Sequence, residues 1–521
     1  WENPYTERTG QYPEGRYGNC RDYTKGTAGY PRYFEKVEGA EEMNYSIIFY
    51  IMGWILNFEA AFMVPPCIVA LIYGEQAGWS FVITMALCLL IGVPLVIKKP
   101  KKQIFYTSEG FVTVSLCWVV MSIMGALPFL FSGSITSPVD ALFETVSGFT
   151  TTGASILSDV EVLPKSILFW RSFTHWIGGM GVLVFILSLL PLTGGSHMNL
   201  MKAESPGPSV SRLVPKVRLT AKLLYSIYIF MTVVEILFLL AGKMPLFDAV
   251  TVTFGTAGTG GFAIKNNSIA GYSPYIQNVV TVFMILFGVN FNVYFLILMK
   301  RVGQAFRTEE LRWYLIIIAV SIGIITVNTA GLYRSLGDAL HHASFQVASI
   351  ITTTGFATQD FDLWPQASKT ILVLLMFIGA CAGSTGGGVK VSRLVVLVKT
   401  VRKELIQFLH PQVIRKIKMD GKVVEHEVVR SINVFMVAYT LLFSLSVFLL
   451  AFDGEDLITN FTAVAATFNN IGPGLELVGP SKNFGIFSEP AKLVLIFDML
   501  AGRLEIFPVL ILFSRETWKK F

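Results

Sequence analysis

Hydrophobic and polar positions in this chain sort on the scale of whole helices. A polar stretch covers residues 1–42, and from residue 43 onward long apolar runs follow one another, separated by short polar segments. A helix that crosses a bilayer needs about 20 apolar residues. The pattern therefore predicts ten spans, near 45–73, 78–97, 108–131, 165–194, 218–241, 273–299, 311–333, 367–400, 428–452 and 490–514. Four shorter apolar elements lie between these spans, and each runs into a glycine 13 positions after its start. They read DALFETVSGFTTTG (Asp140 to Gly153), DAVTVTFGTAGTGG (Asp248 to Gly261), HASFQVASIITTTG (His342 to Gly355) and TNFTAVAATFNNIG (Thr459 to Gly472).

From the third span onward the order is span, short helix with its glycine, span, four times over. Internal repetition on this scale defines an architecture before any local feature does. The pattern predicts an all-α polytopic membrane protein with four span–pore-helix–span pseudo-repeats around one pore, plus two extra N-terminal spans. The corresponding divisions are a polar extension (1–42), the extra pair (43–102) and pore repeats at 103–202, 203–303, 304–408 and 409–521, the third with a broken second helix.

Composition agrees with a bilayer setting. Hydrophobic residues make up 53% of the chain and charged residues 15%, at a mean hydropathy of +0.59, outside the range of ordinary soluble domains. The five cysteines (20, 67, 88, 117 and 381) show no paired spacing, and the six histidines (175, 197, 341, 342, 410 and 426) show no H-E-x-x-H spacing. A disulfide framework and a zinc site are not indicated. Nor is an enzyme, since no nucleophile–base pair clusters in the spans. Residues 1–42 lack the apolar core of a secretory signal and read as an upstream extension or a loose cytosolic arm before Met43.

Charge sets orientation. Lys98, Lys99, Lys101 and Lys102 follow the second span; Lys202, Arg212, Lys216, Arg218 and Lys222 the fourth; Lys300, Arg301, Arg307 and Arg312 the sixth. Nine Lys and Arg lie between Arg393 and Arg430, and Arg515, Lys519 and Lys520 follow the last span. The positive-inside rule assigns all these loops, and both termini, to the cytoplasm. Acidic residues such as Asp159, Glu161, Asp360, Asp362, Asp453 and Glu455 mark the other side, so the short helices enter from outside.

A re-entrant helix is tolerable in hydrocarbon only when protein surrounds its free carbonyls, and four around one axis meet that condition together. Asp140 and Asp248 stand where N-caps are expected. The negative ends of the helix dipoles then converge on the pore centre. The carbonyls expected to line a cation filter are those of Thr151, Thr152 and Gly153; Thr259, Gly260 and Gly261; Thr353, Thr354 and Gly355; and Asn470, Ile471 and Gly472. The bland alternative is four turn glycines in tight helix packing.

The eighth span is interrupted by Gly379-ACA-Gly383-Ser384-Thr385-Gly386-Gly387-Gly388-Val389-Lys390. Three consecutive glycines do not sustain a helix, and the pattern predicts a mobile loop inside the pore. It is no phosphate loop, because Val389 stands where the lysine belongs. Arg503 lies within the tenth span, where a charge is costly and usually functional. It is expected to bind the loop's carbonyls and oppose a passing cation, the alternative being snorkelling or pairing with Glu505. For Lys390, loop binding and snorkelling both stay open. Glu59, Arg171, His175, Glu235 and Asp498 are expected to form interhelical pairs.

The motifs FETVSGFTTTGAS (143–155), RSFTHWIGGMG (171–181), MKAESPGP (201–208), GGFA (260–263), FQVASIITTTGF (345–356), IGACAGSTGGGVKVSR (378–393), TFNNIGPGL (467–475) and MLAGRLEIF (499–507), in this order, resemble the Trk/Ktr/HKT superfamily of potassium transporters, specifically its TrkH type. The resemblance runs from about Met43 to Phe521. It implies potassium uptake across a bacterial cytoplasmic (inner) membrane, gated by the Gly-rich loop and Arg503, with potassium as substrate and no cofactor in this chain. Glycine at all four filter positions favours potassium over sodium within that superfamily. The resemblance further implies a homodimer and a cytosolic TrkA-type ring of nucleotide-binding subunits. The basic loops at 195–222 and 393–430 are expected to dock that ring or to meet acidic membrane lipid; no nucleic-acid partner is expected. An ion-coupled symporter, driven by proton or sodium, is the alternative, and four repeats of one orientation argue against it.

Overall fold

The computed structural model describes residues 43–100, 107–181, 217–413 and 415–518. The extension at 1–42, Lys101, Lys102, the predicted fourth span beyond Gly181, and Lys202, Arg212 and Lys216 with most of the loop at 195–222 lie outside the described residues. What is described is mostly helical, with one small hairpin pairing Lys418–Met419 with Lys422–Val423.

Helices α1 (Tyr45–Phe62), α2 (Val64–Tyr73), α3 (Gly78–Ile97) and α4 (Thr107–Phe131) come first. Asn44 caps α1 by accepting the Ile47 amide, and Pro65 and Pro66 open α2, where a missing N–H costs no helical bond. α1 and α3 pack backbone to backbone, since a Cβ on Gly92 would lie 2.9 Å from the Gly53 carbonyl oxygen. There follow α5 (Pro138–Phe149), α6 (Lys165–Gly179), α7 (Val217–Ala241), α8 (Leu246–Gly258), α9 (Pro274–Phe287), α10 (Phe291–Leu298), α11 (Glu309–Thr329), α12 (Leu336–Ile351), α13 (Gln366–Ile378), α14 (Val391–Leu409), α15 (His426–Leu450), α16 (Leu457–Phe468), α17 (Glu489–Arg503) and α18 (Phe507–Phe513).

The short helices α5, α8, α12 and α16 start earlier than their sequences indicate. Asp140 and Asp248 are not caps. They sit inside the first turn, behind Ser137-Pro138 and Pro245, because proline presets the start of each helix and a carboxylate one turn in still faces the positive end of the dipole. Asp140 pairs there with Lys492 at 2.6 Å. Buried Phe143, Val347 and Val464 bring α5, α12 and α16 into one apolar core. Val252 of α8 packs in a second core with Phe345 and Phe356.

Among the described residues, six helical stretches are long and apolar enough to cross a membrane: Tyr45–Tyr73, Gly78–Ile97, Glu109–Phe131, Ala221–Ala241, Glu309–Leu332 and His426–Asp453. The four other predicted spans are not continuous helices. That from 165 leaves the helix at Met180, and that at 273–299 bends by 89° between α9 and α10. The span at 367–400 divides at the Gly379–Lys390 loop, as expected. The last divides at Glu505 and Ile506, whose φ values are 58° and 67°. The first and last of these helices press on the ends of short helices. A Cβ on Gly178 would lie 1.8 Å from the Phe149 carbonyl oxygen, and one on Gly502 2.1 Å from that of Phe468.

Candidate functional site

α5, α8, α12 and α16 end in one and the same cap. The amides of Thr152, Gly260, Thr354 and Ile471 donate to the carbonyls of Ser147, Gly255, Ser349 and Ala466 at 2.8–2.9 Å. The preceding residues Thr151, Thr259, Thr353 and Asn470 are left-handed, with φ of 57°, 55°, 58° and 56°. This is a Schellman cap built on threonine and asparagine, and it turns the chain away from the helix axis. Gly153, Gly261, Gly355 and Gly472 follow at φ of 80°, 75°, 85° and 100°, a region open to glycine at no steric cost.

The glycines interlock in one direction. A Cβ on Gly153 would lie 1.9 Å from the carbonyl oxygen of Gly260, on Gly261 1.9 Å from that of Thr354, on Gly355 2.2 Å from that of Ile471, and on Gly472 2.9 Å from that of Thr152. The series returns to its first segment, so the four segments close a ring, and the twelve residues expected at a filter meet there. All four of those carbonyl-bearing residues are buried. Among the described residues no hydrogen bond ends on their carbonyl oxygens. Unpaired buried carbonyls are rare and costly, and such a set is ready to accept a cation. A cavity of about 170 Å³ opens above the ring and touches all four glycines. At its rim, bonds from the Asn266 side chain and the Glu161 amide hold the Asp159 carboxyl below its ordinary pKa.

The Gly-rich loop lies against the other side of the ring. The Gly387 amide donates to the Thr353 hydroxyl at 2.7 Å, and a Cβ on Gly386 would lie 2.9 Å from the Thr352 carbonyl oxygen. Gly383 accepts the Phe291 amide at 3.0 Å, and the Ser384 hydroxyl donates to Cys381 at 2.6 Å. Gly379 and Gly388 sit back to back, so the loop leaves and returns at one point. Lys390 does not snorkel. Its buried ammonium donates to Gly387 at 3.0 Å and also to Gly386.

Arg503 donates to the Thr385 carbonyl at 2.9 Å, to Gly179 at 2.9 Å, and to Gly178. It thus joins the loop to the end of α6, a second attachment the sequence does not announce. Glu505, the partner considered as an alternative, binds Arg393. Glu310 is a residue that sequence reasoning misses. Its Oε1 accepts the amides of Ala382 at 2.7 Å and Ser392 at 3.1 Å, and its Oε2 accepts the Asn290 side chain at 3.3 Å. One carboxylate therefore holds both feet of the loop. Nothing in the sequence separates it from neighbouring Glu309, which pairs with Lys399. Of the ionisable residues expected to pair between helices, Arg171 binds Glu144 at 2.7 Å and Asp498 accepts from Ser446 at 2.6 Å. Glu59 has no hydrogen-bond partner among the described residues.

The model of the TrkH cation transport protein family matches residues 77–520. The Trk system potassium uptake protein TrkH of Salmonella typhimurium is 37% identical over 92% of this chain and 100% of its own length. TrkG of Escherichia coli K12, also named a Trk system potassium uptake protein, is 34% identical over 91% of this chain and 98% of its own. The crystal structure of the potassium transporter TrkH from Vibrio parahaemolyticus superposes with a TM-score of 0.83 at 34% identity, covering 92% of this chain and 100% of that one.

Proposed function

The chain belongs to the TrkH family of cation transport proteins, and on that premise we propose that it carries potassium into the cell through the ring of backbone carbonyls at Gly153, Gly261, Gly355 and Gly472. The observation that carries this reading is the closed, one-directional overlap of the four glycines with unpaired carbonyls. Carbonyl oxygens of this kind replace the hydration shell of a monovalent cation. The carbonyl-rich ends of four short helices add negative potential at the same place. On this reading four pseudo-repeats share the pore, and α1 to α3 form the extra N-terminal pair of spans.

The loop from Gly383 to Gly388 is the gate in this proposal. Arg503 and Lys390 hold it in place through its carbonyls, and their charges oppose a cation beneath the ring. Opening requires the Arg503 bonds to Thr385 to break. Relatives named as members of a Trk system support association with further Trk components, here a TrkA-type nucleotide-binding ring on the cytosolic side, along with a homodimer in the inner membrane. The groove lined by Lys403, Arg415, Lys416 and Arg430 offers positive charge to such a ring or to acidic lipid.

The test is uptake of potassium and rubidium by vesicles containing the purified chain, with sodium as competitor. The proposal expects saturable potassium and rubidium flux that sodium at equal concentration inhibits weakly. Equal competition by sodium removes the selectivity, and flux strictly tied to a proton or sodium gradient replaces the pore with a coupled carrier.

A further inference from the structure

The imidazole of His175, on α6, is buried behind the ring, between the segments that follow α5 and α8. Its Nδ1 lies 2.8 Å from the Gly148 carbonyl oxygen, and the Phe262 amide donates to its Nε2 at 3.2 Å. A backbone amide only donates and a carbonyl only accepts. Nε2 must therefore carry the lone pair and Nδ1 the proton. The other neutral tautomer sets donor against donor at Phe262 and acceptor against acceptor at Gly148, and the imidazolium loses the Phe262 bond.

Both bonds end beside the glycine ring. The Gly148 carbonyl also accepts the Thr151 amide at 3.1 Å, the bond that closes the turn into Thr152 and Gly153. Phe262 directly follows Gly261. The imidazole lies 4.3 Å from the Phe262 ring, centroid to centroid. It also leaves no room for a side chain at residue 260, where a Cβ would lie 2.2 Å from Nδ1.

One helical turn earlier, the Arg171 guanidinium sits 4.1 Å over the Phe262 ring. It donates to the Ala263 carbonyl at 3.1 Å, to the Ser155 hydroxyl at 3.3 Å and to Glu144 at 2.8 Å. Residues at i and i+4 face the same way on a helix, so one face of α6 fastens both segments in register. Elsewhere around the ring the Asn470 amide donates to the Thr152 hydroxyl at 2.9 Å, the Ala357 amide to Ser268 at 3.1 Å and the Glu476 amide to the Asp362 carboxylate at 3.1 Å.

We propose that His175 is a positioning residue for ion selectivity: its neutral Nδ1–H imidazole fixes the spacing between the first and second segments of the ring. This rests on reading the ring as a selectivity filter. Discrimination between potassium and sodium follows the geometry and freedom of the carbonyls, and His175 removes freedom at one corner without touching the ion.

Two conservative variants separate its bonds. In His175→Asn the amide stands where Nδ1 was and keeps a donor for Gly148, but falls short of Phe262. His175→Gln places an acceptor near the Phe262 amide and gives up Gly148. Each loses one buried hydrogen bond, and the potassium-over-sodium preference of vesicle flux is expected to fall about tenfold in each, with potassium flux retained. Unchanged preference in both overturns the proposal. Gly261→Ser, measured alongside, separates the two readings. If it alters preference while both His175 variants do not, the positioning role alone falls; if it too is silent, the filter reading falls with it. A nitrogen resonance spectrum of wild-type protein labelled at histidine, assigned through neighbouring Trp176, is independent of any variant's folding. A neutral Nδ1–H ring is expected; an Nε2–H or doubly protonated ring overturns the assignment.

Discussion

The corner glycines are not equivalent, and the difference is measurable. A Cβ at Gly153 or Gly261 meets a carbonyl oxygen at 1.9 Å, whereas one at Gly472 meets its nearest at 2.9 Å. Gly153→Ala, Gly261→Ala and Gly355→Ala are therefore expected to abolish the potassium preference or prevent folding, and Gly472→Ala to retain the larger share of it. Sodium competition against rubidium uptake checks the order, and equal loss at all four corners contradicts it. Arg503 has a different role, holding the loop to the end of α6 through carbonyls on both. Arg503→Ala is expected to raise flux in the absence of any partner, since bonds to a charged donor worth about 1.5–3 kcal/mol are lost together with a positive charge near the path. Lower flux from correctly inserted Arg503→Ala contradicts the role. Glu310→Gln acts from the opposite side of the loop. The amide keeps one oxygen for Ala382 and Ser392, but as a neutral and weaker acceptor, and its nitrogen cannot accept from Asn290, so the feet of the loop loosen and resting flux rises. Unchanged flux and unchanged thermal stability together remove Glu310 from the gate.

At the level of elements, the short helices depend on how each begins and ends. Asp456 caps α16 by accepting the amides of Ile458 and Thr459 and the Thr459 hydroxyl. The Thr459 hydroxyl, followed by the backbone amides, holds the Asp456 carboxyl below its ordinary value. A carboxyl depressed in the folded state stabilises it above the unfolded pKa, and this contribution fades as pH falls through the folded value. Asp456→Ala is expected to cost about 1 kcal/mol near neutral pH and progressively less in acid, a trend that thermal unfolding in detergent reads directly. The four glycine elements are legible in the sequence, because a half-length apolar run ending in glycine repeats at one offset. The break at Gly379–Lys390 is legible for a similar reason, since three glycines in a row interrupt any helical pattern. The other three breaks are not. Residues on both sides of Met180, Gly288 and Glu505 are equally apolar, and the γ-turn centred on Ile506, at φ 67° and ψ −61° with the Phe507 amide donating to the Glu505 carbonyl, involves a residue that normally avoids positive φ. Helix starts are misplaced too, because proline two or three positions upstream outranks the aspartate that looks like a cap. Glu310 stays hidden because a carboxylate at the start of a span reads as a surface residue until the loop it holds is folded against it.

For the molecule as a whole, the topology proposed from the distribution of charge puts the Lys418–Val423 hairpin and the α14–α15 groove on the cytosolic side and the cavity above the ring on the other. Lys482→Cys beside that cavity, in a background without native cysteines, is expected to react with an impermeant maleimide from outside the cell. Lys422→Cys on the hairpin is expected to react only in inverted vesicles. Labelling from the opposite sides reverses the orientation and with it the direction of entry. The contact that completes the ring also has a consequence for manufacture. Asn470 and Thr152, which meet across the last corner, lie 318 positions apart, so most of the polypeptide must leave the ribosome before the ring can close. A nascent chain halted ahead of Gly472 holds three corners of an open polygon with nothing to shut it. Closure of the ring is therefore a late event of synthesis, with 49 residues, Arg503 among them, still to follow Gly472.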